Sequence, residues 1–209
     1  MRRHRKAFPL VVEGIPYLIP PAVIAVIGGI WGKMYLFLPF LVLTIFGCSF
    51  FRNPPRRIPV GDGLILSPAD GRIIGIKRGS EKTTVSIFMS IFNVHVNRVP
   101  VAGTIDSIRY QRGRFLPANS GEASRQNEQN TLQLRSVEGL QLVFVQVAGI
   151  IARRIVCYMH EGDPVQRGEI VGAILFGSRV DVHLPQGVQV QVREGDRVKG
   201  GESVLGVIT

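Results

Sequence analysis

Cysteine is nearly absent, with two in 209 residues: Cys48 inside an apolar run and Cys157 in a strand-like segment. Thiols so placed supply neither a disulfide framework nor zinc-ligand spacing, which suits a reducing compartment. Acid is also scarce, 15 Asp and Glu against 25 Lys and Arg, for a net charge of +10. That surplus points to an anionic partner, either nucleic acid or a membrane surface. No helix-turn-helix, finger or aromatic-basic stacking pattern is found, so no nucleic acid is expected. No pair of His, Cys or acidic residues has metal-site spacing, so no metal is expected. Charge itself disappears from one stretch: between Glu13 and Arg52 the only charged residue is Lys33.

That stretch is rich in Ile, Leu, Val, Phe and Trp and divides at Gly32-Lys33 into residues 15–31 and 34–51. Each half is near the lower limit of about 17 to 20 residues that a helix needs to span hydrocarbon. Pro16, Pro20, Pro21 and Pro39 are expected to kink or delimit helix, so a hairpin dipping into the bilayer competes with two short transmembrane helices. Arg2, Arg3, Arg5 and Lys6 precede the run and Arg52, Arg56 and Arg57 follow it. This places both flanks in the cytoplasm by the positive-inside rule. The run is too long for a signal peptide core and lacks a small-residue cut site, so it is expected to be retained. The expected organisation is a basic segment 1–14, a hydrophobic membrane segment 15–51, and a domain 52–209 on the cytoplasmic side of the cell (inner) membrane.

Residues 53–59 carry three prolines and read as a stiff, non-helical linker. Beyond it, short alternating segments recur between glycine turns, at 63–66, 72–77, 84–90, 103–110, 131–136, 140–147, 155–159, 170–175, 179–184, 188–192 and 203–208. This is a mainly β pattern, a barrel or sandwich. Glu161-Gly162-Asp163-Pro164-Val165 with Gly168-Glu169 returns as Glu194-Gly195-Asp196-Arg197-Val198 with Gly201-Glu202. These turn-then-strand units resemble the hairpins of lipoyl- and biotinyl-carrier barrels, which implies a barrel-sandwich hybrid. The modifiable Lys between Met residues that such carriers present is missing.

The chemistry is concentrated in three segments: Phe176-Gly177-Ser178-Arg179, Ser67-Pro68-Ala69-Asp70-Gly71, and the stretch 88–100 from Phe88 to Pro100. The Gly177-Ser178 bond lies between two strand-like segments. A serine hydroxyl there can attack the preceding carbonyl, and glycine leaves that carbonyl approachable. β-Elimination and hydrolysis would then leave a pyruvoyl cap on residue 178. Such a carbonyl does what pyridoxal phosphate does elsewhere, accepting the electron pair left by a departing carboxylate.

Together these segments resemble the phosphatidylserine decarboxylases in their short form, from about Arg52 to the C-terminus. The resemblance implies self-cleavage into chains 1–177 and 178–209 that stay associated, and a covalent pyruvoyl cofactor from Ser178 in place of pyridoxal phosphate. It implies phosphatidylserine as substrate, held by a Schiff base, with anionic membrane lipid as partner, and it leaves room for a homo-oligomer. It assigns catalytic roles to Ser178, His95 and Asp70, the carboxylate fixing the histidine tautomer. The long form of the family has His where Arg98 stands and Asp where Asn93 stands. The group that activates Ser178 is thus open, and Arg98 is read as a substrate-binding cation. His160 and His183 are further candidates to face the pocket. Residues 127–130, Asn-Glu-Gln-Asn, resemble a polar stretch of the family but read more simply as a solvated loop. A membrane-tethered carrier or adaptor, and a pyruvoyl decarboxylase of a soluble amino acid, are the competing readings.

Overall fold

The structure is a computed structural model that describes residues 9–117, 126–149, 154–175 and 178–208. The chain divides into two compact units, Met1–Pro55 and Arg56–Thr209.

The first unit is a pair of apolar helices, α1 (Ile15–Ile30) and α2 (Met34–Phe50). They turn at Gly32, whose φ of 64° lies in the left-handed region that glycine enters without strain. Pro16 falls in the first turn of α1, where its missing amide costs nothing. Pro20, Pro21 and Pro39 lie inside the helices, so of the expected kink or boundary they mark no boundary. The partner helix compensates, since α1 and α2 pack antiparallel through small residues. A Cβ on Gly28 would stand 2.8 Å from the Phe37 backbone nitrogen, and one on Gly47 would stand 2.5 Å from the Leu18 side chain. The segment Val12–Ile30, 19 residues of mean hydropathy 1.5, is long and apolar enough to cross a membrane, whereas Met34–Phe50 is shorter.

The second unit is mainly β. Its strands are β1 (Leu64–Leu66), β2 (Gly71–Arg78), β3 (Lys82–Met89), β4 (Val96–Arg98), β5 (Gly103–Gln111), β6 (Gln129–Ser136) and β7 (Gln141–Ala148). They continue as β8 (Arg154–Cys157), β9 (Pro164–Val165), β10 (Ile170–Leu175), β11 (Ser178–Pro185), β12 (Val188–Val190), β13 (Arg197–Val198) and β14 (Val204–Ile208). Every segment expected from alternation appears. The short β4, β9 and β13 were not expected, being too brief to show a period. An eight-stranded sheet runs β13-β2-β3-β11-β7-β6-β5-β9, and two three-stranded sheets run β1-β14-β12 and β4-β10-β8. Alternate residues of the large sheet, among them Ile87, Leu132, Phe144, Val180 and Val182, fill a fully buried core.

The repeated turns mark an internal two-fold relation that extends through the unit. β2 and β5 each carry a bulge, between Ile73 and Gly75 and between Ile105 and Ser107. Each bulge is held by a carboxylate from a repeated turn, Glu194 Oε1 accepting from Ile76 N–H at 2.8 Å and Glu161 Oε1 from Ile108 N–H at 2.9 Å. Leu66 opposite Val204 and Ile65 opposite Gly206 answer to Arg98 opposite Ile170 and Asn97 opposite Gly172. One half is the continuous run from β4 to β10. The other is assembled from β1–β3 and β11–β14. Gly71 and Gly103 repeat as well, because a Cβ would stand 2.2 Å from Phe88 O in one half and 2.0 Å from Arg135 O in the other.

Candidate active site

Ser178 is the first residue of β11, where the chain re-enters the interrupted half. Phe176 and Gly177 lie outside the described residues. β11 is paired on both sides, opposing Ser178 to Met89 of β3 and to Ala148 of β7. Its side chains alternate, so Ser178, Val180, Val182 and Leu184 are fully buried on the core face. Ser178 Oγ donates to Met89 Sδ at 3.3 Å. A thioether orients a hydroxyl but is far too weak a base to take its proton.

Met89 is also the end of a buried amide chain. Asn130 Nδ2 donates to Gln146 Oε1 at 2.9 Å, Gln146 Nε2 donates to Asn97 Oδ1 at 2.8 Å, and Asn97 Nδ2 reaches Met89 Sδ at 3.7 Å. None of the three was given a role at the sequence level, each entering only inside a longer segment, although a signal was present. Gln146 and Asn130 occupy core positions of alternating strands, beside Phe144 and Leu132, where an uncompensated polar group costs about 1–3 kcal/mol. The 127–130 stretch is therefore no solvated loop. Asn127 and Asn130 are buried, and Asn127 Nδ2 donates to Ala148 O at 2.7 Å, on the residue facing Ser178. Glu128 is buried too and accepts from Tyr110 Oη–H. Burial, followed by this hydrogen bond, pushes the Tyr110 hydroxyl up to about 12.

His95 stands just before β4, its carbonyl accepting from Ile174 N–H at 3.2 Å near the end of β10. Its Nδ1 is 3.0 Å from the Asn93 carbonyl. A carbonyl can only accept, so Nδ1 carries the proton and Nε2 keeps the basic lone pair of the neutral ring. The Asn93 backbone here does what the sequence reading assigned to Asp70.

Asp70 lies elsewhere in the network. Its Oδ1 accepts from Gly200 N–H at 2.7 Å and its Oδ2 from Arg56 Nη2 at 3.0 Å. Arg56, read as part of the linker, is thus a buried member of the second unit. Ile58 of the same stretch sits where a Cβ on Gly168 would fall, at 2.3 Å. Neighbours along β4 point to opposite sides, Asn97 toward Met89 and Arg98 toward Gly168 O at 3.0 Å. Arg98 is buried, and its pKa is lowered to about 10 by burial and by the Arg56 cation, against the pull of Asp70 and Glu202.

His183 and His160 are placed away from Ser178. His183 points to the opposite face of β11, Nδ1 2.9 Å from Thr84 Oγ1, with its pKa lowered by burial and then by Lys82. His160 is exposed in a repeated turn, 3.6 Å from Asp163. Burial pushes the Cys157 thiol up and so disfavours a reactive thiolate. Among the described residues no group of three or more His, Cys, Asp or Glu is placed to hold a metal ion.

Comparison with known proteins points to one family. The phosphatidylserine decarboxylase family matches residues 43–206. The phosphatidylserine decarboxylase proenzyme of Syntrophus aciditrophicus (strain SB) is 45% identical over 202 residues, covering 93% of this chain and 95% of that one. Those of Geotalea uraniireducens (strain Rf4) and Geobacter metallireducens are 45% identical over 209 residues and 43% over 211, with 97% and 96% of this chain and 98% and 97% of theirs covered. With Asp70, His95 and Ser178 all inside a match that spans most of its length, the chain belongs to the phosphatidylserine decarboxylase family.

Proposed function

We propose that this chain converts phosphatidylserine to phosphatidylethanolamine and carbon dioxide, using a pyruvoyl group made from Ser178. The observation that carries the reading is the setting of Ser178. It is a fully buried serine at the start of a strand held by ladders on both sides, next to neutral amides. A small uncharged carbonyl fits there. The core-side neighbours that position 178 meets are the Met89 thioether and Ala148, with the amides of Asn97 and Gln146 behind them.

In maturation Ser178 Oγ, turned from Met89 toward the Gly177 carbonyl, attacks it, and the peptide becomes an ester. Elimination opens the ester, Gly177 leaves as the carboxyl end of the long chain, and water hydrolyses the dehydroalanine left at residue 178, its oxygen becoming the new carbonyl while the nitrogen departs as ammonia. The short chain 178–209 stays in place because β11 remains paired with β3 and β7. Once formed, the group supplies an electrophilic carbonyl that binds the substrate amine and draws off the electron pair released with carbon dioxide. His95 Nε2 moves protons, with Nδ1 fixed by Asn93 O. Asp70 holds Arg56 and the nearby Arg98 in register, and Arg98, turned to Gly168 O on the side of β4 away from Met89, braces that strand rather than meeting the substrate.

The paired bulges and turns support a lipoyl-like barrel-sandwich hybrid as the architecture. The apolar helix pair would hold the chain in the cell membrane, its basic flanks setting the second unit on the cytoplasmic side. The test is carbon dioxide release from phosphatidylserine in vesicles compared with free serine. Release from the lipid alone is expected, and equal turnover of free serine would contradict the reading.

A further inference from the structure

Strand register gathers one distinctive set of side chains at the Ser178 end of the eight-stranded sheet. β3 ends there at Met89, and the turn that follows carries Ile91 and Phe92 at its tip, Phe92 being 72% exposed. The tip is built rather than loose. Asn93 Oδ1 accepts from both Ser90 N–H and Ser90 Oγ–H at 2.8 Å, and Asn93 N–H returns to Ser90 O at 2.9 Å. β5 ends at the same level, since Gln111 opposes Gln129 and Gln129 opposes Val147, next to Ala148. It leads into exposed Arg112, Arg114 and Phe115, a stretch tied back by Arg114 N–H to Gln126 O at 2.6 Å and by Asn127 to Leu116. Exposed Arg154 begins β8 opposite Leu175, three residues before Ser178 in sequence. Among the described residues none of these arginines forms an ion pair.

The opposite end of the sheet differs in charge and chemistry. Its cations, exposed Lys77, Arg78 and Lys82 beside the β2–β3 turn and Arg167 in the adjoining hollow, are interspersed with Glu81, Glu138 and Asp62, and the apolar side chain its β6–β7 turn presents is Val137, 76% exposed, with no exposed ring among the described residues there. Exposed aromatic and aliphatic side chains fringed by unpaired cations are what an anionic lipid interface selects, rings at the headgroup level and guanidinium groups on phosphate.

We propose that the Ser178 end of the sheet is a docking surface for an anionic phospholipid bilayer, with Ile91, Phe92 and Phe115 entering the interface and Arg112, Arg114 and Arg154 meeting its phosphates. This deepens the functional reading above and rests on it for the choice of a lipid surface. Docking there brings a headgroup to Ser178 without lifting the whole lipid from the membrane.

The test uses the full chain in vesicles of phosphatidylglycerol and bromine-labelled phosphatidylcholine. A Trp31→Phe background removes the single native tryptophan. Phe92→Trp in that background is expected to lose much of its emission to the bromines. Val137→Trp, equally exposed and at the matching turn of the other half, is expected to keep its emission. Ile91→Trp repeats the measurement should Phe92→Trp misfold. Quenching of the tip variants no greater than that of Val137→Trp would overturn the proposal. Phosphatidylserine turnover is read separately in the same vesicles with phosphatidylserine included. Turnover with an unquenched tip sinks the docking surface alone, and a quenched tip without turnover sinks the reaction alone.

Discussion

The two halves of the β unit share a scaffold and part company at the positions that carry chemistry. In the continuous half, β6 and β7 are joined by a four-residue turn, 137–140. In the other half the corresponding strands, β3 and β11, are not joined. The chain leaves Met89 for β4 and comes back at Ser178. Register matches Ser178 to Leu140, Asp70 to Ala102, Asn97 to Ile65 and Arg98 to Leu66. At each pair, one half has an apolar residue and the other a polar or charged one that is partnered, buried at Ser178, Asn97 and Arg98 and partly buried at Asp70. The repeat therefore supplies a rigid frame, and the site arises where the two-fold relation is broken.

Substitutions at matched positions test that comparison. The largest difference is expected between Ser178→Ala and Leu140→Ala: the first abolishes processing and turnover, and the second costs stability while the chain is still cut. Equal processing, read on a denaturing gel, would break the comparison at its centre. Next in size is Asp70→Ala, which strips the acceptor from a buried Arg56 beside Arg98. Breaking such a pair costs about 3–5 kcal/mol in urea unfolding. Residue 102 of the other half is already alanine, so Ala102→Asp serves as the counterpart and is expected to leave Asp70 and its arginines undisturbed, with a smaller loss.

Glu161→Ala and Glu194→Ala probe the shared frame. Each removes an exposed carboxylate from one bulge amide. Losses of about 1 kcal/mol, equal within error, are expected. A large inequality would deny that the bulges are equivalent. The smallest effect concerns His183, matched to Val145 in the other half. Its pKa is lowered in the fold from the ordinary 6.5, so the unfolded chain takes up the proton first. Stability should be full above about pH 6.5 and fall as pH drops below it, and His183→Val should flatten that part of the profile.

Much of this was legible in the sequence because it is local. Strand alternation, the apolar helix pair and the Glu-Gly-Asp turns are written in short windows, and the sequence reading located them. What it missed comes from distance in the chain. Nothing near Asp70 announces that Arg56 and Gly200 N–H will take its two oxygens, so a partnership with His95 was the simplest expectation from the sequence. The amide chain joins Asn97, Gln146 and Asn130 from three strands, so only the polar residues at core positions of β6 and β7 hinted at it. The helices continued through Pro20, Pro21 and Pro39 because a packed partner helix offsets the lost hydrogen bonds, which no local rule includes.

The most direct test is the intact mass of protein purified from cells in active form. Two chains are predicted, one ending at Gly177 and one beginning at residue 178 with a blocked, nitrogen-free terminus. A single full-length polypeptide that turns over phosphatidylserine with an unmodified serine at 178 would contradict the account.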